Sequence, residues 1–238
     1  MFPIITKNQY LQINSYGLIL CISYIITLSM AIYRAKKNRI SPVVIAKLGI
    51  ILAISTIFGA WIFDLLISPN GSLSQEVSNR LVFLLNGWVS GFAITGGMFF
   101  SIPLGLIFLK MDKQNVGIVA NLITPCGSLL LGLGRLACFA AGCCHGKPTS
   151  LPVGIVFPKF SHAWRIYGSV PVHPTQLYLS TLGFLLFGLL LYLERKIDKP
   201  WVLFFIFFML YSMGRFFIEF LRYYHPLKYI NFMLINLK

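Results

Sequence analysis

Long apolar runs alternate with short polar segments along most of the chain. A helix needs about 17–25 predominantly apolar residues to cross a bilayer. Six runs meet this length, at residues 15–33, 43–67, 81–109, 116–133, 175–193 and 201–221. The pattern therefore predicts an all-α fold, a polytopic membrane bundle of six or seven transmembrane helices.

The third run and the C-terminal tail differ from simple spans. Helix continuity in the third run is weakest at residues 95–97, where Thr-Gly-Gly predicts a re-entrant break. The tail at residues 223–238 is too short, and too broken by a proline and a lysine, to be assigned as a span. Residues 1–16 lack the cleavage site of a secretory signal. Because 238 residues are not enough for two membrane bundles, we expect one integral membrane domain over residues 1–238.

The composition excludes an ordinary soluble domain. Hydrophobic residues make up 57% of the chain and charged residues only 11%, whereas soluble domains carry about 25% charged residues. The mean hydropathy is +0.79. A net charge of +14 would suit nucleic acid, but the charges lie between apolar runs, where membrane topology places them. We therefore expect anionic membrane lipids, and no nucleic acid, as partners.

The distribution of basic residues predicts the topology. Three linkers rich in Lys and Arg, at residues 34–39, 110–113 and 195–199, alternate along the chain and so fall on one side. The positive-inside rule puts that side in the cytoplasm and the N-terminus outside. Residues 134–174 then form an extracytoplasmic loop region. This region is too long for a simple connector, so we expect it to carry function.

The end of the last span carries the clearest chemical pattern. Arg215, Glu219 and Arg222 follow the spacing i, i+4, i+7, which places them on one helix face. Ionisable residues inside a membrane are costly and usually functional. The alternative is a helix end with snorkelling side chains and one structural ion pair, although Arg215 lies too deep for easy snorkelling.

A second pattern begins at the outer end of the fourth span. Gly134 and Arg135 are followed by a glycine-flanked stretch that reaches Gly146. The planar guanidinium fork matches phosphate oxygens, and glycines let a backbone approach a headgroup closely. The alternative is an arginine at the membrane interface followed by an ordinary loop.

The fifth span opens on His173-Pro-Thr-Gln-Leu-Tyr178. Either Thr175 caps this helix or Pro174 occupies its first position. His173 can titrate near neutrality or donate a hydrogen bond. A purely structural histidine at a helix entry fits the residues equally well.

Three cysteines and a histidine lie in the loop region, at Cys138, Cys143, Cys144 and His145. Zinc sites usually combine two separated ligand pairs, and this spacing differs, so we predict no metal ion. A disulfide between Cys138 and either later cysteine suits an extracytoplasmic loop. A reactive thiol beside Arg135 is the third possibility, since a cation lowers a thiol pKa.

These motifs, taken in order, resemble the prolipoprotein diacylglyceryl transferase family. The similarity runs from Tyr16 to Arg222 and rests on five short motifs. They are Tyr16-Gly-Leu, Thr95-Gly-Gly, Gly134-Arg135 with Gly142 and Gly146, His173 to Tyr178, and Arg215-x3-Glu219-x2-Arg222.

The resemblance implies a function. Members of the family transfer a diacylglyceryl group from phosphatidylglycerol to the lipobox cysteine thiol in the signal peptide of a prolipoprotein. They work at the outer face of the bacterial inner membrane, release glycerol phosphate and need no cofactor. The same activity, location and partners are expected for this chain, with the site towards the outer leaflet.

The resemblance also implies residue roles. Arg135 matches the arginine that binds phosphatidylglycerol, Arg215 a second essential arginine, Glu219 its acidic partner, and Tyr16 the tyrosine of the first span. We predict three catalytic residues, which are Arg215, Glu219 and His173. The predicted substrate-binding residues are Arg135, Tyr16, Gly96, Gly97, Gly146, Gln176 and Arg222.

The sequence departs from the family pattern at three positions. Thr95 stands where the family has a histidine proposed as the base, Cys138 where it has an asparagine, and Leu179 where it has an acid. His145 or His173 would then serve as the base. Two other functions stay open: a membrane thiol–disulfide protein on the same scaffold, and a phospholipid-binding protein without catalysis.

Overall fold

The computed structural model of the protein describes residues 4–7, 12–67, 94–159 and 161–223. A short antiparallel hairpin of β1 (Ile4–Lys7) and β2 (Gln12–Asn14) precedes the helices. The helices that follow are α1 (Ser15–Lys37), α2 (Pro42–Ile67), α3 (Ile94–Met111), α4 (Val116–Ala141), α5 (His162–Tyr167), α6 (Thr175–Leu193) and α7 (Val202–Glu219).

The helices confirm the predicted fold class. Within the described ranges, five are long and apolar enough to cross a membrane, namely α1, α2, α4, α6 and α7, and α3 contains a shorter apolar stretch at Gly97–Met111. The chain is therefore a multi-pass helical membrane protein. The hairpin was not predicted. The first part of the third predicted span, residues 81–93, lies outside the described residues, and so does the tail from residue 224.

Helix α4 is longer than the sequence predicts. It continues through Gly134 to Ala141 and ends where Gly142 adopts a left-handed backbone with φ 68°. The N–H of Gly142 donates to the carbonyl oxygens of Cys138 and Phe139, as in the common glycine cap of helix C-termini. Arg135 and Cys138 therefore lie on a helix, and not in the loop region that was expected to begin at residue 134.

Small residues hold α4 against α6. A Cβ atom added to Gly183 would lie 2.8 Å from the backbone of Gly132, so the two helix backbones touch there. The hydroxyl of Ser180 donates to the carbonyl oxygen of Gly132, and that of Ser128 to the carbonyl oxygen of Gly183, both at 2.8 Å. Close backbone approach and interhelical hydrogen bonds are the usual basis of helix association in lipid.

The remaining helices pack around this pair. Helix α1 packs against α4, α7 lies against α6 and α4, and α2 packs chiefly on α3. Large apolar side chains such as Ile25, Phe99, Leu185 and Phe216 point outwards and are exposed. Apolar surface on this scale is stable in contact with lipid acyl chains and not in water.

An ion pair closes one end of the bundle. Nη2 of Arg34 donates to both carboxylate oxygens of Glu194 at 2.8 Å, and its Nε donates to the carbonyl oxygen of Leu122 at 3.2 Å. Arg34 is buried in α1, so it is not the free linker charge that the topology argument counted. Leu109, next to Lys110 at the end of α3, packs in the same core cluster as Ala35.

Candidate active site

Three arginines gather at the other end of the bundle, and we call them the arginine cluster. Arg135 lies on α4, Arg215 on α7 and Arg222 just beyond α7. Arg135 lies beside the hydroxyl of Tyr211 on α7, and both Arg135 and Arg222 are close enough to Arg215 to repel it electrostatically. Along α4, Arg135 is about 20 Å from Leu122, at 1.5 Å per residue.

Glu219 links two of these arginines. Its Oε2 lies 2.8 Å from Nη2 of Arg215, and its Oε1 lies 3.7 Å from Nη1 of Arg222. The spacings i, i+4 and i, i+3 on one helix make these contacts local. The contact between Arg215 and Glu219 is an ion pair whose geometry does not form a hydrogen bond. Nη1 of Arg215 also has no hydrogen-bond acceptor among the described residues. The guanidinium therefore keeps donors for another anion.

The cluster carries an excess of positive charge. Among the residues the structure describes there, Glu219 is the carboxylate that offsets the guanidinium groups of Arg135, Arg215 and Arg222. These side chains are half-buried, so water screens their repulsion only partly. A bound anion with several oxygens, such as a phosphodiester, would relieve that repulsion.

Tyr16 joins the cluster from the first turn of α1. Its hydroxyl is close enough to Arg135 to interact with it electrostatically, and it also interacts with the thiols of Cys138, Cys143 and Cys144. The side chain is half-buried. The beginning of the first span and the end of the fourth therefore meet at the site.

The three cysteines converge because the chain reverses after α4. Gly142 turns the backbone, and Cys143 then donates its N–H to the carbonyl oxygen of Cys138 at 3.1 Å. Cys144 also adopts a left-handed backbone, with φ 58°. The three sulfur atoms lie within 4.8 Å of one another. Hydrogen bonds from the thiols of Cys138 and Cys143 lower the pKa of Cys144, and Arg222 and Arg135 lower it further.

Two side chains at the start of α6 fix residues 142–148, which we call the Cys-Cys loop. Oγ1 of Thr175 donates to the carbonyl oxygen of Cys144 at 2.7 Å, and Nε2 of Gln176 donates to that of Cys143 at 2.6 Å. Both side chains are fully buried. Pro174 caps the helix without a side-chain hydrogen bond. The hydrogen bond made by the predicted substrate-binding residue Gln176 therefore positions the loop.

Gly146 ties the Cys-Cys loop to the end of α7. It pairs with Arg222 in an isolated antiparallel bridge, and its N–H donates to the carbonyl oxygen of His173 at 2.8 Å. A Cβ atom at Gly146 would lie 2.6 Å from the carbonyl oxygen of Leu221 and 2.6 Å from Cβ of His173. Only glycine fits this position without a backbone shift.

The two histidines proposed as bases each have a hydrogen-bond partner at Nδ1. Nδ1 of His173 lies 3.1 Å from the hydroxyl of Tyr178. His145 is buried, and its Nδ1 donates to the carbonyl oxygen of Gly146 at 3.1 Å. Burial lowers the pKa of His145, so its neutral form is favoured. The rings around His145 belong to Phe157, His162, Tyr167 and Tyr223.

The glycine motif of the third span lies at the start of α3. A Cβ atom at Gly97 would lie 2.8 Å from the carbonyl oxygen of Thr56, so Gly97 packs directly against α2. The side chain of Thr95 and the surroundings of Gly96 lie outside the described part of the structure. Their predicted roles stay predictions.

Sequence reasoning missed two parts of this site. Tyr211 precedes Arg215 by four residues, so extending the i, i+4 pattern one turn towards the helix start would have found it. The meeting of Cys138 with Cys143 and Cys144 depends on the backbone at the end of α4. No spacing rule signals that geometry.

Fold and site together define the class of protein: an integral membrane protein with a cluster of arginines at one end of its helix bundle. The comparisons with known proteins agree. Residues 3–237 match the sequence profile of the prolipoprotein diacylglyceryl transferase family. The chain belongs to this family, which confirms the resemblance seen in the sequence and makes the chain a transferase.

Curated relatives carry the same description. A phosphatidylglycerol–prolipoprotein diacylglyceryl transferase of Clostridium tetani is 31% identical over 224 residues, which cover 93% of this chain and 86% of the relative. A second, from Clostridium perfringens, is 33% identical over 212 residues, 89% of this chain and 80% of the relative. A third, from Clostridium botulinum, is 31% identical over 93% of this chain and 85% of the relative.

Proposed function

We propose that this chain transfers a diacylglyceryl group from phosphatidylglycerol to the lipobox cysteine thiol of a prolipoprotein and releases glycerol phosphate. The relatives are named for both substrates. The observation that carries the proposal is the gathering of Arg135, Arg215 and Arg222 around the single carboxylate of Glu219 in the described part of the site. This arrangement suits a phosphodiester.

The reaction places charge where the arginines are. The thiolate sulfur attacks the sp3 carbon of the diacylglycerol, a C–S bond forms, and the C–O bond to phosphate breaks. The electron pair moves onto the phosphate oxygen, which becomes more negative. Donors fixed in a partly buried site stabilise this charge, and losing one such donor typically costs about 100–1000-fold in rate.

Each residue of the site has a role in this scheme. Arg135 and Arg215 hold the phosphate, and Glu219 orients Arg215 through their 2.8 Å contact. Arg222 adds charge at the mouth of the site. Tyr16 and Tyr211 flank Arg135 and direct its guanidinium.

We also propose the orientation. The arginine cluster faces the outer leaflet of the bacterial inner membrane, and the N-terminus lies outside. In support, the basic C-terminal end of α1 lies at the opposite end of the bundle, where Arg34 contacts Glu194 just before the basic residues Arg195 and Lys196 that follow α6. The positive-inside rule assigns such an end to the cytoplasm.

A transfer assay tests the proposal. The purified protein is placed in bilayers that contain phosphatidylglycerol, a lipobox peptide is added, and the peptide mass is measured. We expect the mass of one diacylglyceryl group to be gained, and a loss of about 100–1000-fold in rate for Arg135→Ala and Arg215→Ala. Arg165→Ala is the matched control, because Arg165 is exposed on α5.

The assay also separates the other two functions. A phospholipid-binding protein without catalysis would bind phosphatidylglycerol and leave the peptide mass unchanged. A membrane thiol–disulfide protein would oxidise the peptide thiol to a disulfide, or reduce a peptide disulfide, without adding lipid. Normal transfer by both arginine variants would contradict the proposed site.

A further inference from the structure

The sulfur atoms of Cys138, Cys143 and Cys144 form a cluster that the proposed reaction does not yet use. Zinc binds thiolate sulfur at about 2.3 Å, so three ligands on a tetrahedral ion lie about 3.8 Å apart. The three sulfurs already lie within 4.8 Å of one another. Closing them on an ion therefore needs sulfur movements of about 1 Å or less.

The backbone holds the cluster in a costly conformation. Cys144 has φ 58°, a left-handed backbone that is unfavourable for a non-glycine residue. Glycine would relieve this strain, but it would remove the third sulfur. Thr175 and Gln176 hold the carbonyl groups of Cys144 and Cys143 in place, as outer groups commonly do around metal ligands.

The described residues offer three ligands and not four. His145 is the nearest further candidate in the sequence, but its Nδ1 donates to the carbonyl oxygen of Gly146 and aromatic rings enclose its other side. Zinc sites with four protein ligands are structural, whereas sites with three leave a position for water or substrate. The cysteine cluster resembles the three-ligand sites, which leave a position for water or substrate.

The surrounding charges favour the complex. Three thiolates and one Zn²⁺ carry a net charge of −1. Arg135 and Arg222 both lie close enough to Cys144 to stabilise negative charge on its sulfur. The cations that would repel a bare metal ion therefore stabilise the anionic metal–thiolate group, next to the place where the phosphate of the lipid would bind.

We propose that Cys138, Cys143 and Cys144 bind one Zn²⁺ ion and that its open fourth position takes the thiol of the substrate peptide. This inference rests on the proposed function. A metal-bound thiol is deprotonated outright, whereas Nδ1 of His145 and Nδ1 of His173, the two histidines considered as bases, already have hydrogen-bond partners. The carboxylate of Glu219 already contacts Arg215 and Arg222.

The step balances. The substrate thiol binds zinc and gives its proton to solvent water. Its sulfur then forms the C–S bond while the C–O bond to phosphate breaks, and the leaving group carries the electron pair. Zinc keeps its oxidation state throughout. The thioether product is a neutral and weaker ligand than the thiolate, so it leaves the metal.

Metal content and X-ray absorption at the zinc edge test the site without any activity measurement. The full-length protein in lipid nanodiscs is equilibrated with Zn²⁺ and washed. We expect one zinc per chain with three sulfur ligands, and an affinity at least about 10-fold lower in Cys138→Ser, Cys143→Ser and Cys144→Ser, since each removes one thiolate ligand. Cys21→Ser and Cys126→Ser are the controls, because both lie outside the cluster.

The substrate part has its own readout. Adding the lipobox peptide should introduce a fourth sulfur ligand, and a peptide with serine in place of the lipobox cysteine should not. Wild-type protein that takes up no zinc, or that carries a Cys138–Cys143 disulfide instead, overturns the inference. Equal zinc binding by Cys144→Ser, or no fourth sulfur with the peptide, also overturns it.

Failure of the inference and failure of the proposed function are distinguishable. Lipid transfer by wild-type protein shown to be free of metal overturns the zinc site and leaves the transferase function standing. A three-sulfur zinc site that gains the peptide sulfur, in a protein that never transfers lipid from phosphatidylglycerol, supports the metal site and overturns the proposed reaction.

Discussion

Gly146 and Arg222 form an antiparallel β-bridge that joins the Cys-Cys loop to the end of α7. The next residue, Lys147, donates its N–H to the carbonyl oxygen of Leu221 at 2.9 Å. The cysteines and the end of the arginine cluster are therefore connected through the backbone as well as through charge. Any change that separates the two strands should move Arg222 and Cys144 apart.

Gly146→Ala should separate the two strands of this bridge. The added Cβ would lie 2.6 Å from the carbonyl oxygen of Leu221 and 2.9 Å from that of His173, and backbone atoms cannot yield as a flexible side chain does. Overpacking of this kind costs about 1–3 kcal/mol. We expect a loss of at least about 10-fold in transfer rate, since a misplacement of 1 Å can cost far more.

Gly127→Ala is the matched control, because nothing lies within 4 Å of a Cβ atom at Gly127. It changes the same residue type in the neighbouring helix α4. The rate of peptide lipidation and the thermal stability of both variants are measured together. Wild-type rates for Gly146→Ala would show that the bridge does not position the site.

Glu219→Gln should lower kcat more than it changes KM. The amide keeps the size of the side chain but loses the charge that holds Arg215 at 2.8 Å. The guanidinium would still attract the phosphate, so binding should change little. Its orientation towards the developing charge would be lost, and we expect kcat to fall about 10–100-fold, because preorganised donors act mainly in the transition state.

Steady-state kinetics with phosphatidylglycerol as the varied substrate separate the two constants. A rise in KM with unchanged kcat would mean that Glu219 supports binding alone. Glu194→Gln serves as the comparison, since it removes the carboxylate of an ion pair at the opposite end of the bundle.

Local rules explain what the sequence predicted correctly. The bounds of α6 match residues 175–193, because Pro174 restricts the chain before the helix and a charged turn follows it. The common face of Arg215, Glu219 and Arg222 depends only on helical periodicity over two turns. Such features need no knowledge of the rest of the fold.

Non-local contacts explain what the sequence did not show. Arg34 was counted as a free linker charge, but its partner Glu194 lies 160 residues away. The sulfur cluster depends on the left-handed backbone at Gly142 and Cys144. Cysteine does not predict such a backbone, because left-handed conformations are uncommon outside glycine, asparagine and aspartate.

Glu194→Ala should destabilise the protein without altering the site. Arg34 is almost fully buried in α1 and would lose its only carboxylate partner within the described residues. An unpaired buried charge costs about 3–5 kcal/mol. Because Glu194 is partly exposed, with 28% of its side chain accessible, we expect the lower end of that range.

Thermal unfolding in nanodiscs measures this loss, and Lys196→Ala is the control, because Lys196 is exposed and its ammonium group donates to the hydroxyl of Tyr192 one turn earlier. The protein that stays folded should lipidate the peptide at the wild-type rate. An unchanged melting temperature for Glu194→Ala would show that water or lipid headgroups replace the carboxylate.

Acidification should loosen the Cys-Cys loop through His145. Burial lowers the pKa of His145 in the folded protein, below the value of about 6.5 of an unfolded histidine. The folded state therefore favours the neutral ring, and this stabilisation is complete above about pH 6.5 and is lost as the pH falls below it. The neighbours that face the ring are His162, Tyr167, Tyr223 and Cys144.

Amide hydrogen exchange of Gly146 and Lys147 reports this loosening, because their N–H groups donate to His173 and Leu221. The protection of these amides, corrected for the intrinsic exchange rate, should fall as the pH is lowered from about 7 to about 5, through the pKa of an unfolded histidine.

His145→Gln keeps a donor for the carbonyl oxygen of Gly146 but cannot titrate, so the protection of both amides in this variant should be nearly independent of pH. His162→Gln removes a neighbour that lowers the pKa of His145 less than burial does, so the loss of protection on acidification should become smaller without disappearing. Equal pH dependence in wild type and His145→Gln would assign the titration to another group.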